Sequence, residues 1–177
     1  MSNEESIIQP FGSLVASRLG LAEQTRHESV RALNRLLAHT MAMRDLYKKA
    51  HWQTSGATLY ELHLLFQKHY NEQVELMDSL AERVQTLGGV TLALAHDVAE
   101  ETHIARAPRG RESVPAQLRR LLEGHVMVLG EARRLAHEAA HAGDDGTNTL
   151  IVSEIIRSNE LQSWSIGQQL MARGEAF

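Results

Sequence analysis

From Thr58 to Leu87, apolar or bulky residues recur three or four positions apart, at Leu59, Leu62, Leu65, Phe66, Tyr70, Val74, Met77, Leu80, Ala81 and Val84. That period predicts an amphipathic α-helix, and Gly88-Gly89 supplies its C-terminal stop. An earlier helix over roughly 22–52 places Leu33, Leu36, Leu37, Thr40, Met41 and Leu46 near one side, and residues 53–57 form the turn between the two. A long connection over 88–112 follows, with a short helix expected from Leu92 to Glu101. Ser113 before Val114-Pro115 marks a third helix start, because proline fits the first turn. That helix runs to about Ala142 and stops at Gly143-Asp144-Asp145-Gly146. Thr147 or Asn148 is expected to cap a fourth, ending near Arg173. No stretch alternates with a period of two, so the pattern predicts an all-α four-helix bundle.

Composition narrows this picture without changing it. A chain of 177 residues fits one domain, here read as an arm over 1–20, a helical domain over 21–173 and a short tail over 174–177. The three prolines, Pro10, Pro108 and Pro115, leave residues 11–107 free for unbroken helices. The absence of cysteine excludes disulfide and thiol chemistry and fits a cytoplasmic protein. No apolar run approaches a transmembrane length, and the N-terminus lacks a basic leader-like start. The formal charge of −4 gives no electrostatic case for nucleic acid.

The candidate chemistry lies in His51, His63, Asp78 and Glu82, a mixed nitrogen and oxygen set that suits iron or zinc better than calcium or magnesium. On the second helix, positions 63, 67, 78 and 82 fall at about 0°, 40°, 60° and 100° around the axis, one stripe. Along the axis His63 and Glu82 are separated by about 28 Å, whereas metal–ligand bonds are about 2.0–2.3 Å. One helix therefore cannot bring them to one ion. A two-fold axis crossing the helix near Asn71 to Gln73 would set Asp78 and Glu82 of one subunit opposite His63 of another, giving two equivalent sites per dimer. His51, just before the Gly56 turn, would swing back onto the His63 end. A bundle-surface histidine or a solvated carboxylate face remains the plainer reading of each residue taken alone.

At these residues the chain resembles the Dps family, the small ferritin-like proteins of starved and oxidatively stressed bacteria. The match runs through Asp45-x-x-Lys48-x-x-His51-Trp52, Gly56, Leu62-His63 and Asp78-x-x-Ala81-Glu82-Arg83-x-x-x-Leu87-Gly88-Gly89, and continues to Asn159-Glu160-Leu161-Gln162-x-Trp164. The resemblance implies a four-helix bundle assembled as a hollow dodecamer. It implies oxidation of Fe(II), preferably by hydrogen peroxide, at dimer-interface sites, with storage of ferric mineral inside. It assigns His51, His63, Asp78 and Glu82 as iron ligands, with Trp52 packed beside them. The family's usual Asp four residues after the second His is Gln67 here, and a neutral amide stabilises a dication less than a carboxylate does. Two ions per site, zinc at one subsite, or a non-catalytic metal-binding cage are the alternatives this leaves open.

Asp144, Asp145 and Glu154 surround the start of the fourth helix, where the family lines acidic pores that draw Fe(II) inward; the alternative is an N-terminal cap. Many relatives bind DNA through basic tails, but residues 1–17 and 174–177 contain no Lys or Arg, so DNA binding is disfavoured. Arg106, Arg109 and Arg111 form a local loop patch. His137-Glu138-Ala139-Ala140-His141, with Glu160 further on, matches the HExxH pattern of zinc hydrolases, but His141 lies at a helix end and no strand offers a substrate edge, so a surface His/Glu face is expected. Glu138…His141 and Glu100…His103 also match the Glu-x-x-His of larger di-iron ferritins.

Overall fold

The structure, a computed structural model, describes residues 6–174. The ends of the expected arm and tail, residues 1–5 and 175–177, lie outside the described residues. The elements are α1 (Glu23–Gln53), α2 (Leu59–Thr86), the short α3 (Ala95–Glu101), α4 (Val114–His141), and a last long helix in three parts. Those parts are α5 (Asp145–Leu150), a π-helical stretch (Ile151–Ile156) and α6 (Arg157–Met171). No strand occurs among the described residues. α1 packs along α2, α4 along the last helix, and α1 against α4 joins the two pairs, while α3 lies across α1. This is the expected ferritin-like four-helix architecture.

Local chemistry sets the boundaries. Ser113 Oγ accepts from Ala116 N–H at 3.4 Å, with Pro115 in the first turn of α4. α2 ends as Gly88 N–H and Gly89 N–H donate to the Gln85 and Val84 carbonyls at 2.9 and 3.0 Å, with Gly88 at φ 86°. The Gly-Gly pair does more than stop the helix. A Cβ at Gly89 would fall 2.5 Å from a Val30 methyl, and the Gly88 carbonyl accepts from Val15 N–H at 2.9 Å, tying down the arm. The cap of the last helix differs from expectation. Asp144, and neither Thr147 nor Asn148, is the N-cap, its carboxylate accepting from Thr147 N–H at 3.1 Å.

The core is built from Leu33, Leu36, Leu37 and Tyr47 of α1, Leu62, Phe66 and Leu80 of α2, Leu118, Leu121 and Val128 of α4, and Ile151, Ile155, Ile166 and Leu170 of the last helix. Each buried aliphatic or aromatic side chain contributes on the order of 1.5–3 kcal/mol by leaving water. Gly124 lets α4 approach α1, since a Cβ there would lie 2.3 Å from Met43 Sδ. Not all apolar residues of α2 join this core. Leu65, Tyr70, Val74, Met77 and Ala81 are only half-buried, and Leu59 is exposed. α2 thus carries a second apolar strip that its own bundle covers only in part.

Candidate metal centre

The turn after α1 brings His51 and His63 face to face. Their rings stack with centroids 3.6 Å apart and planes 25° apart. His51 Nδ1–H donates to the His63 carbonyl at 2.9 Å, and His63 Nδ1–H donates to the His51 carbonyl at 2.9 Å. A carbonyl can only accept, so both Nδ1 atoms carry protons. In the neutral imidazoles both Nε2 atoms are therefore lone-pair donors, the tautomer a metal requires. Burial, opposed by the bond to His63 and reinforced by the His63 and Lys48 charges, lowers the His51 pKa and favours that neutral form. Thr54 N–H closes the end of α1 on the Ala50 carbonyl at 2.8 Å, and Gly56 at φ 94° turns the chain back.

Gln67 lies one turn beyond His63 on α2, and its amide is already engaged. Gln67 Oε1 accepts from Lys48 Nζ at 2.7 Å, and Gln67 Nε2 donates to Asn71 Oδ1 at 2.8 Å. The Lys48 ammonium also lies 4.6 Å from the Tyr70 ring centre and 5.6 Å from that of Trp52. Trp52 is 69% exposed, so within the protomer it is not packed against the site as expected.

Asp78 and Glu82 are exposed on the distal half of α2, away from the histidines. The bundle-facing residues of α2, from Leu62 to Val84, centre on the order of 140° around the helix from the 63/67/78/82 stripe. Among the described residues, no three His, Asp or Glu side chains of one protomer come close enough to share an ion. The chain thus presents a bis-imidazole at one end of α2 and two carboxylates at the other. The strip of Tyr70, Val74, Met77 and Ala81 runs between them.

The other candidates resolve less favourably. Asp144 is 1% exposed, ion-paired with Arg83 and accepting from Ser29 Oγ and Thr147 Oγ1, both at 2.7 Å. Burial alone would raise its pKa, but the Thr147 and Ser29 hydrogen bonds and Arg83 hold it low. It is the N-terminal cap, the alternative that the sequence offered beside the pore role. Asp145 and Glu154 are exposed, Glu154 accepting from Ser79 Oγ at 3.1 Å. The HExxH match is the exposed His/Glu face expected of it. Glu138 is held by Arg134 at 2.6 and 2.7 Å and Glu160 by Arg133 at 2.8 Å, while His137 and His141 stack on an exposed face of α4. A general base already bound bidentately to a guanidinium is not free to activate water. Among the described residues the one carboxylate that reaches the bundle centre is Glu72, at its edge, accepting from Gln162 Nε2 at 2.8 Å, where a larger ferritin would need several.

The bundle centre instead holds a layer that sequence reasoning missed: Tyr47, His69, Gln73, His125, Asn159 and Gln162, all buried. Its signal was available, since Gln73 and His69 fall in the heptad-like run Leu62, Phe66, Leu76, Leu80 of inward positions on α2.

Residues 30–173 match the model of a family described as a ferritin-like domain. DpsC from Streptomyces coelicolor is 49% identical and superposes with a TM-score of 0.92, over 93% of this chain and 95% of its own. The Dps protein of Vibrio cholerae, described as a member of a superfamily of ferritin-like diiron-carboxylate proteins, is 26% identical, with a TM-score of 0.82 over 89% of this chain and 99% of its own. A nutrient stress-induced DNA-binding protein of a Nostoc species is 29% identical over 90% of this chain and 87% of its own length.

Proposed function

The chain belongs to the Dps family of ferritin-like proteins, and on that premise we propose that it is a ferroxidase and iron store, oxidising Fe(II) with hydrogen peroxide at sites shared by two subunits. The family supports a role in iron storage or DNA protection, and the chemistry of this chain favours iron. The net charge of −4 is a poor match to a polyanion. Among the described residues no helix is long and apolar enough to cross a membrane.

One observation carries the reading: His51 and His63 lock each other's tautomer, so that two Nε2 lone pairs are presented together. Fe(II) as substrate takes imidazole and carboxylate ligands readily. His51 and His63 would hold it by Nε2, while Asp78 and Glu82 of the partner subunit would supply the two negative charges that favour Fe(III) over Fe(II). The half-buried strip Tyr70, Val74, Met77 and Ala81 would be covered by the same partner helix, and Trp52 with it. Twelve such subunits would enclose the ferric product, with Asp145 and Glu154 as candidate pore carboxylates. The ferritin-like domain is taken as 21–173, with 1–20 an arm and 174–177 a tail.

The Lys48–Gln67 hydrogen bond favours a second reading for part of the site: one ion per site in place of two, or a zinc-binding cage without oxidation chemistry. Anaerobic Fe(II) loading followed by peroxide or oxygen, with ferric absorbance recorded, separates these. Acceleration over buffer supports the ferroxidase; none, with assembly intact, leaves the cage. Co-assembly tests the shared site. A His51→Ala/His63→Ala chain and an Asp78→Ala/Glu82→Ala chain are each expected to be inactive. Mixed equally, they regain about a quarter of the wild-type rate, because half of random dimers are mixed and each rebuilds one of two sites. No recovery in a mixed assembly would rule out the two-subunit arrangement.

A further inference from the structure

The hydrogen bonds at the bundle centre fix where each proton lies. Asn159 Nδ2 donates to the Ile155 carbonyl at 2.8 Å, so its Oδ1 is the atom turned towards His125. That oxygen accepts from His125 Nδ1–H at 2.9 Å and from Gln73 Nε2 at 3.1 Å. His125 Nε2 is therefore a vacant lone pair, and the Tyr47 hydroxyl donates to it at 2.5 Å. Burial keeps His125 neutral, its pKa lowered to about 3, and burial with the Glu72 carboxylate raises that of Tyr47 well above its usual value. Both side chains are 0% exposed. The phenol cannot release its proton to water at ordinary pH.

A phenol bonded to a vacant imidazole nitrogen can nevertheless lose an electron and a proton together. The oxidised phenol is a far stronger acid than imidazolium, so even a weakly basic buried imidazole takes its proton. Glu72, whose charge reaches Tyr47, favours the positive charge this leaves in the core. Tyr47 precedes His51 by four residues on α1, about 6 Å along the axis and on nearly the same face. Its ring also meets His69 edge-on at 5.1 Å and Phe66 at 6.3 Å on α2, the helix that carries His63.

We propose that Tyr47 is a redox-active tyrosine that supplies the second electron for peroxide reduction at the iron site, with His125 Nε2 holding its proton. This rests on the ferroxidase reading above. One Fe(II) reduces hydrogen peroxide to hydroxide and a hydroxyl radical, becoming Fe(III). Tyr47 gives the radical one electron, making a second hydroxide, while the phenolic proton moves to His125. A second Fe(II) then reduces the tyrosyl radical, and the proton returns from His125 to the phenolic oxygen. The sum is two Fe(II) and one peroxide giving two Fe(III) and two hydroxides, with no hydroxyl radical released. Such a reserve electron suits a site in which Gln67 replaces a carboxylate and one iron is held at a time.

The test uses the assembled protein with one Fe(II) per site, mixed with peroxide and freeze-quenched for electron paramagnetic resonance. A tyrosyl signal is expected, narrowed by ring-deuterated tyrosine, together with a low yield of spin-trapped hydroxyl radical. Tyr47→Phe should abolish the signal and raise the trapped yield at least threefold, while Tyr60→Phe changes neither. His125→Gln separates proton acceptance from packing, since the amide oxygen can accept the Tyr47 bond but is too weak a base to take the proton. It should behave like Tyr47→Phe with an unchanged fold. Equal signals in wild type and Tyr47→Phe, or a signal lost only in Trp52→Phe, would overturn the proposal. If wild type fails to accelerate Fe(II) oxidation at all, the ferroxidase reading has failed instead. Pulse-generated azide radicals then interrogate the pair directly: a Tyr47→Phe-sensitive tyrosyl radical slowed in D2O upholds the redox couple, and its absence ends it.

Discussion

Gln67→Asp restores a charge to the site, and its effect depends on where Lys48 goes. A carboxylate about 5 Å from a bound dication, in a water-like dielectric, adds about 1.7 kcal/mol of attraction, or roughly 17-fold in affinity. The Lys48 ammonium, which donates to Gln67 Oε1 at 2.7 Å, would sit against the new carboxylate. Turning the carboxylate from that ammonium to the ion gives up about 1 kcal/mol of their attraction, for a separation near 4 Å in the same dielectric. Gln67→Asp alone should therefore tighten Fe(II) or Zn(II) binding only about threefold. Combined with Lys48→Ala it should reach the full factor of roughly 17 and raise the stoichiometry towards two ions per site. Anaerobic titration calorimetry on the assembled protein, with Lys48→Ala alone as control, measures both quantities. If the double variant binds no more tightly than Lys48→Ala and keeps the same stoichiometry, Gln67 does not face the ion and the electrostatic reasoning fails.

Asp144→Asn should destabilise the subunit by about 3 kcal/mol, since it leaves Arg83 without its buried partner, as read by denaturant unfolding at pH 7. The Asp144 pKa is depressed in the fold, so its contribution is present above the unfolded value and lost as pH falls through the folded one. The variant should accordingly show a flatter stability profile below about pH 4. His69 and His125 have folded pKa values lowered to about 4 and about 3. Their unfolded forms take up protons first, so stability is full above the unfolded value and declines as pH drops from about 6.5. For His125 the loss is about 2 kcal/mol at pH 5 relative to pH 7, and His125→Gln should remove that part of the slope. Gly89→Ala should cost about 1–3 kcal/mol through overpacking, because Val30 is rigid and a Cβ would lie 2.5 Å from its methyl; an unchanged melting temperature would mean α1 can shift.

The helices, their order and most of their ends were legible because repeated apolar spacing and local stop residues encode them. Ser113-Val114-Pro115 and Gly88-Gly89 act within a few residues, and the chain reads them locally. The cap of the last helix was not legible. Asp144, Thr147 and Asn148 are all good capping residues, and only the distant Arg83 and Ser29 select Asp144. The meeting of His51 and His63 was legible from the turn at Gly56, and the distance from them to Asp78 and Glu82 along α2 followed from helix rise alone. What spacing could not give was the reciprocal His51–His63 bonding, which depends on the exact closure of the turn at Gly56. Lys48 occupying Gln67 was equally hidden, since two residues 19 apart on different helices meet only after α1 and α2 pack. The inward places of His69 and Gln73 on α2 were legible from its spacing, but their partners Tyr47, His125, Asn159 and Gln162 lie on other helices and meet them only after packing.

The π-helical stretch from Ile151 to Ile156 has a consequence for tolerated chain length. Its i→i+5 winding accommodates about one residue more than α-helical turns would, so every side chain beyond it points roughly where its predecessor would in an unbroken helix. Asn159 and Gln162 reach the bundle centre through that offset. Deleting a single residue within 151–156 should let the segment rewind as α-helix while residues 157–171 keep their orientation. Inserting one residue there would rotate both amides away from Gln73. The fourth helix is thus a place where a one-residue deletion is mild and a one-residue insertion is severe, the reverse of what an ordinary surface loop would show.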